Sequence, residues 1–131
     1  MRVLLDTNII ISALLLRSST PSTVVEVVLQ DHRLVLTDWV IAELREVVGR
    51  KRSDLLPALE TFLSSIDYEL AGPGDTAVAI SDPDDQPILD AATASAVDVI
   101  VTGDKHFLAL DIETPRILTA RAFVEAYVQP T

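Results

Sequence analysis

The residues whose types and spacing could do chemistry are carboxylates, and four of them stand out by where they fall. Asp6 closes the apolar run Val3-Leu4-Leu5 and is followed by Thr7 and Asn8. Glu43 lies inside a helical pattern, three carboxylates crowd into Asp82-Pro83-Asp84-Asp85, and Asp104 follows Val99-Ile100-Val101-Thr102-Gly103. Carboxylate oxygens are hard donors of the kind that Mg²⁺ and Mn²⁺ prefer. Such ions take near-octahedral oxygen coordination, keep several waters and need few protein ligands. Four acids suffice for one or two ions, and a pair of ions about 4 Å apart suits in-line phosphodiester cleavage by water.

Whether the four acids can meet depends on the elements that carry them. Val3-Leu4-Leu5, Leu34-Val35-Leu36-Thr37 and Val99-Ile100-Val101-Thr102 are short apolar runs beside turns, the pattern of fully buried parallel strands. Ile66 to Leu70 alternates with period two, which suits a half-exposed edge strand, and Arg116-Ile117-Leu118 offers a fifth strand. Helical spacing fills the intervals. It places Ile9 to Leu16 in a first helix, capped Thr20-Pro21 at the head of a second, and Thr37 or Asp38 at the cap of a third ending at Gly49. Pro57 and Pro87 open two more, the latter with a slim face of Ala91, Ala92, Ala94 and Ala96, and Thr119 caps the last. The β-α alternation predicts an α/β fold, a central parallel sheet of four to five strands with helices on both faces, forming one domain over residues 1–131.

In that fold Asp6 and Asp104 arrive at carboxyl ends of strands, the edge where open parallel sheets bind ligands. Glu43 borders the apolar face of its helix, Val40, Ile41, Leu44, Val47 and Val48, whereas Glu46 points away. Asp85 precedes the helix before the fourth strand. Singly, each acid has an ordinary explanation: Asp6 and Asp85 as helix caps, Glu43 as a solvated helix residue, Asp104 as a turn residue. Their joint arrival at one edge is the signal.

Composition narrows the setting. The formal charge of −10 argues against nucleic-acid affinity from a broad basic surface, though not against a nucleic-acid enzyme with an acidic site. Without cysteine, neither a disulfide framework nor a thiolate zinc site is available. No run approaches the ~20 apolar residues of a membrane span, and the N-terminus has no signal-peptide pattern. A soluble cytoplasmic protein is therefore expected. Arg45 with Arg50-Lys51-Arg52 could bind RNA or an acidic partner, or simply form a solvated loop. Trp39 is expected to pack rather than stack on a base, and His106 to stay uninvolved.

In order and spacing, Asp6-Thr7-Asn8, Glu43, Asp82-Pro83-Asp84-Asp85 with Ile88-Leu89-Asp90-Ala91-Ala92, and Val101-Thr102-Gly103-Asp104 resemble the PIN-domain ribonucleases, in particular the toxin side of VapBC-type toxin-antitoxin pairs. The resemblance covers almost the whole chain. It implies a Mg²⁺- or Mn²⁺-dependent endoribonuclease acting on single-stranded RNA, with Asp6, Glu43, Asp85 and Asp104 as catalytic and metal-binding acids. Asn8 and Thr102 match positions that support such a site. Asp85 is preferred as the third acid because it lies three residues before Ile88, which matches the family's spacing. Asp84 is the alternative, and Asp90 is a possible auxiliary ligand. A cognate antitoxin with a basic inhibitory segment and a homodimer formed through helices are also implied. The competing reading is a non-catalytic PIN-like interaction module whose acids serve only as caps. An aspartyl-nucleophile phosphatase would want an acid where Asn8 stands. A phospho-receiver would need an acceptor Asp after a central strand, and Asp54 follows a basic loop instead.

Overall fold

The three apolar runs become the central strands of a five-stranded sheet. The structure, a computed structural model, describes residues 1–74 and 78–128. The strands are β1 (Arg2–Leu5), β2 (Arg33–Thr37), β3 (Glu69–Ala71), β4 (Val99–Val101) and β5 (Arg116–Leu118). All pair in parallel, in the order β3-β2-β1-β4-β5. Helices α1 (Thr7–Leu15), α2 (Thr20–Asp31), α3 (Asp38–Lys51), α4 (Leu56–Ser65), α5 (Gln86–Ala94), α6 (Lys105–Leu108) and α7 (Ala120–Tyr127) occupy the connections. Successive side chains of a strand point to opposite faces. Val3, Leu4 and Leu5, Leu34 to Leu36, and Val99 to Val101 are all buried, so both faces of the sheet are covered. Only at the edge does the pattern loosen, where Leu70 of β3 is 51 % exposed.

The order of strands matters most for the acids. β1 runs next to β2 on one side and to β4 on the other, so successive connections leave β1 in opposite directions. That is the topological switch point of the sheet, and a crevice opens there between the carboxyl ends of the two strands. The register pairs Leu5 with Val101, and the Asp6 N–H continues the ladder to the Val101 carbonyl at 3.1 Å. One step further, Asp6 stands opposite Thr102.

Several local details differ from the sequence expectation, among them the edge strand, which covers Glu69–Ala71 rather than Ile66 to Leu70. The hydroxyl that caps α2 belongs to Ser19, which accepts from the Ser22 N–H, so Thr20 is the first helical residue and Pro21 the second. Helix α3 does not stop at Gly49 but runs to Lys51. A helical Gly costs only about 1 kcal/mol, and the buried Val48 together with the Arg50–Glu46 pair one turn apart holds the last turn. Ala96 is outside α5: the helix ends at Ala94 and Ala96 has φ 53°. Residues 75–77 of the long loop expected between Ala71 and Pro87 lie outside the described residues. Gly74 sits against α5, where a Cβ would stand 2.3 Å from that of Ala94.

Ala96 occupies the left-handed position that closes α5. Its N–H donates to the Thr93 carbonyl and the Val97 N–H to the Ala92 carbonyl at 3.0 Å, with Val97 buried. This is a Schellman closure, which normally carries Gly where Ala stands here. A left-handed L-residue costs roughly 1–2 kcal/mol, and Gly loses about 0.5–1 kcal/mol through extra unfolded-chain freedom. Ala96→Gly should therefore stabilise the protein by about 0.5–1 kcal/mol in urea unfolding; a destabilised variant would mean that the methyl group's contacts outweigh the backbone strain.

Candidate active site

Asp6 is the deepest of the acids, 7 % exposed at the end of β1. It is also the best anchored. Its Oδ1 accepts the Thr7 N–H at 2.7 Å and its Oδ2 accepts the Thr102 hydroxyl at 2.8 Å. Thr102 is fully buried and its Oγ1 in turn accepts the Asp104 N–H at 3.0 Å, so one hydroxyl ties the two carboxylate-bearing turns together. Burial pushes the Asp6 carboxyl above its ordinary range. The bonds from Thr102 and Thr7 pull it back, while Glu43 and Asp104 add repulsion.

Asp104 follows β4 and caps α6, its Oδ1 accepting the His106 N–H at 2.7 Å. Glu43 is half-buried in the second turn of α3, near enough to repel Asp6. That helix starts where it does because the buried Thr37 at the end of β2 accepts the Val40 N–H at 2.9 Å. Thr37, not Asp38, is thus the cap.

Asp85 behaves differently from the other two aspartates. It precedes α5 in the capping position yet makes no capping hydrogen bond, and its Oδ2 is buried without a partner among the described residues. Its carboxyl is pushed up to about 7, first by burial and then by Asp104, Asp82 and Asp6, with a proton shared toward Asp104. A buried acceptor left without a donor costs free energy, and the acids around Asp85 add to that cost when it is ionised.

The structure therefore brings Asp6, Glu43, Asp85 and Asp104 into one electrostatically coupled edge, with Thr102 as the buried link. Asn8 is exposed on the first turn of α1. Asp84 is exposed, and its N–H closes a turn on Asp82 Oδ1 at 3.0 Å, so the coupling to Asp104 and Asp6 belongs to Asp85. Asp82 enters as a repelling neighbour. Asp90 lies further along α5, its Oδ1 held by Gln86 Nε2 at 2.9 Å. The edge is open: among the described residues no three acids or histidines close around a single point as a ready-made metal cage.

Sequence reasoning overlooked one group. Gln86 clamps the irregular segment before it, donating to the Val78 carbonyl and accepting the Ile80 N–H, both at 3.0 Å. Nothing periodic announces such a clamp, because its partners lie in a loop. His106, expected to be uninvolved, has Nδ1 2.7 Å from the Ser81 hydroxyl, which links α6 to the same loop. Trp39, expected to pack, is 43 % exposed.

The model of the PIN domain family matches residues 2–106. The chain belongs to the PIN domain family. Among solved structures, this PIN domain is similar to a chain in the crystal structure of VapBC2 from Rickettsia felis bound to a DNA fragment from their promoter. The two are 21 % identical with a TM-score of 0.66, over 90 % of this chain and 97 % of that one. At that identity the likeness is one of fold. No curated protein sequence matches.

The coupling carries a stability signature. Folded Asp85 keeps its proton to about pH 7, whereas unfolded it releases the proton near 3.8. Between these values the native state binds more protons, so its contribution to stability falls as pH rises from about 4 to about 7 and is flat above. In chelator near pH 8, Asp85→Asn should melt several degrees above wild type and show a flatter pH dependence. Thr102→Val should do the opposite: it removes the donor to Asp6 and an acceptor for Asp104, at a cost of roughly 1–3 kcal/mol. Thermal scans from pH 4 to 8 decide both; an Asp85→Asn protein that melts lower across the range would make that carboxylate a structural support.

Proposed function

We propose that this PIN domain, taken over residues 1–131, is a Mg²⁺- or Mn²⁺-dependent endoribonuclease that hydrolyses phosphodiester bonds in single-stranded RNA. We further propose that it is the toxin of a VapBC-type toxin-antitoxin pair acting in the cytoplasm. The observation that carries the reading is Asp85: a carboxylate at a helix start that caps nothing, buries an unpartnered oxygen and is repelled by the acids around it. A structural cap has no use for that arrangement, whereas a divalent cation relieves all three costs. The all-oxygen donor set also fits a hard cation, which needs few protein ligands and keeps its own waters.

Asp6, Glu43, Asp85 and Asp104 are the residues that would hold the ion. When bound, such an ion lowers the pKa of water and balances the charge that develops on the phosphate. The chain's own part is positional. The Thr102 hydroxyl and Thr7 N–H fix both oxygens of Asp6, so it presents its outward lone pairs without rotating. Asp104 keeps Oδ1 on the His106 N–H, which holds its carboxylate beside Asp85. Asp85 would lose its proton on loading. Asn8, two residues after Asp6, would support the site by orienting neighbouring groups. Asp84 stands just outside this set.

The surplus of acids also names the inhibitor's chemistry. A basic segment of the antitoxin that inserts Arg or Lys would meet the carboxylates in place of the cation, and a guanidinium suits paired carboxylates best. A homodimer through helices would leave this edge free. No helix of the described residues is long and apolar enough to cross a membrane.

Asp6→Asn, Asp85→Asn and Asp104→Asn should each lower metal-dependent cleavage of a single-stranded RNA by roughly 100-fold or more, as expected when several kcal/mol of charge stabilisation are lost, while circular dichroism stays native. Glu43→Gln should fall in the same direction. If all four proteins and wild type degrade RNA equally in contaminant-free preparations, or if none does at any metal concentration, the domain is a non-catalytic PIN-like module and the acids are caps.

A further inference from the structure

A pocket of about 340 Å³ opens beside the acidic edge, between the start of α3, the segment after β3 and the first turns of α5. Thr37 lines it, and the β1–β2 register that pairs Leu4 with Val35 carries Thr37 to the position opposite Asp6. Its volume is at the small end for ligand sites, the scale of one planar ring system. Flat apolar groups form much of its wall: the half-exposed indole of Trp39, Pro73 and Pro87. Gly74 lets this wall press against α5, since a Cβ there would stand 2.8 Å from the Asp90 carbonyl oxygen.

The polar groups decide the occupant. Asp38 and Asp90 both line the pocket, so a phosphate is repelled and the occupant must present hydrogen-bond donors. Asp90 is half-buried, and Gln86 Nε2 fixes its Oδ1 at 2.9 Å, leaving acceptor capacity on a carboxylate that cannot swing away. A carboxylate accepts two adjacent N–H groups at once, the geometry it shares with a guanidinium fork. Among the RNA bases only guanine carries adjacent donors, N1–H and the N2 amino group, on its Watson–Crick edge. Adenine and cytosine place an acceptor beside their amino group, and uracil flanks its N–H with carbonyls. Unstacked bases in single-stranded RNA are read in this way, ring on an aromatic face and edge on side chains.

We propose that this pocket receives a guanine base of the RNA strand, stacked on Trp39 and read by Asp90. The inference rests on the nuclease reading above and adds base selectivity to it.

Trp39 is the only tryptophan of the chain, so its fluorescence reports the pocket alone. Uncharged nucleosides titrated in chelator test it without involving phosphate, metal or cleavage. Guanosine should change the emission saturably, at a concentration roughly tenfold or more below adenosine, cytidine or uridine, the discrimination expected of one bidentate pair. Inosine, which lacks the N2 amino group, should lose most of that preference, and this arm requires no variant. Asp90→Asn keeps the shape and an oxygen for Gln86 but turns an amide donor toward the base, and should abolish the preference while retaining weak, unselective quenching. Equal responses to all four nucleosides, an inosine response matching guanosine, or an Asp90→Asn protein that still prefers guanosine would each overturn the proposal. Discrimination without metal-dependent cleavage would support the pocket and overturn the nuclease reading; cleavage without discrimination would do the reverse.

Discussion

The buried carboxylate at the end of β1 constrains everything around it. A charge taken out of water is tolerated only when hydrogen-bonded or paired. Asp6 has both oxygens engaged, one by its own helix start and one by Thr102 on the neighbouring strand. Bonds to a charged group are worth roughly 1.5–3 kcal/mol each, enough to offset part of the cost of burial, to which Glu43 and Asp104 add a smaller repulsion. The second bond exists only because β4 lies beside β1 in the register that puts Thr102 opposite Asp6. Slip that register by one residue and the hydroxyl would face the other side of the sheet.

From this pairing follows a division among the acids. Asp6 and Asp104 each spend oxygen lone pairs on a helix start, so both stabilise local structure while facing the crevice. Asp85 spends none. Its raised affinity for a proton and its unpartnered oxygen are what remain when a third carboxylate is placed where two already stand. The helices hold it there through apolar contacts, with Ile88, Leu89, Ala91 and Ala92 of α5 all buried. Packing elsewhere thus supports an electrostatically unfavourable edge, the usual relation between a core and a site built on it.

The basic side chains do not offset that edge. Arg45 pairs with Glu60 at 2.7 Å, Arg50 with Glu46 at 2.9 Å and Arg52 with Asp54 at 3.0 Å, all exposed. These pairs add little stability, but they engage three of the four cations of the basic run, Arg45, Arg50 and Arg52. Arg2 is used at the opposite end of the sheet, where its guanidinium holds Glu69 and the Ser95 carbonyl.

The apolar runs, the strand-then-helix alternation and the cap at Thr119 were readable from residue order, because burial and capping are decided by neighbours within a few positions, whereas Thr37 and Asp38 were equal candidates for the cap of α3 until the structure put the bond on Thr37. So was the candidate set Asp6, Glu43, Asp85 and Asp104, from its placement beside those elements and its likeness to the PIN domains. The strand order was not, since which strand lies next to β1 depends on contacts between residues nearly a hundred positions apart. The same holds for the Thr102–Asp6 bond and for the exposure of Trp39. Local patterning sets which faces are buried; only the assembled sheet brings distant carboxylates within range of one another, and their repulsion, burial and shared hydrogen bonds exist in no segment taken alone.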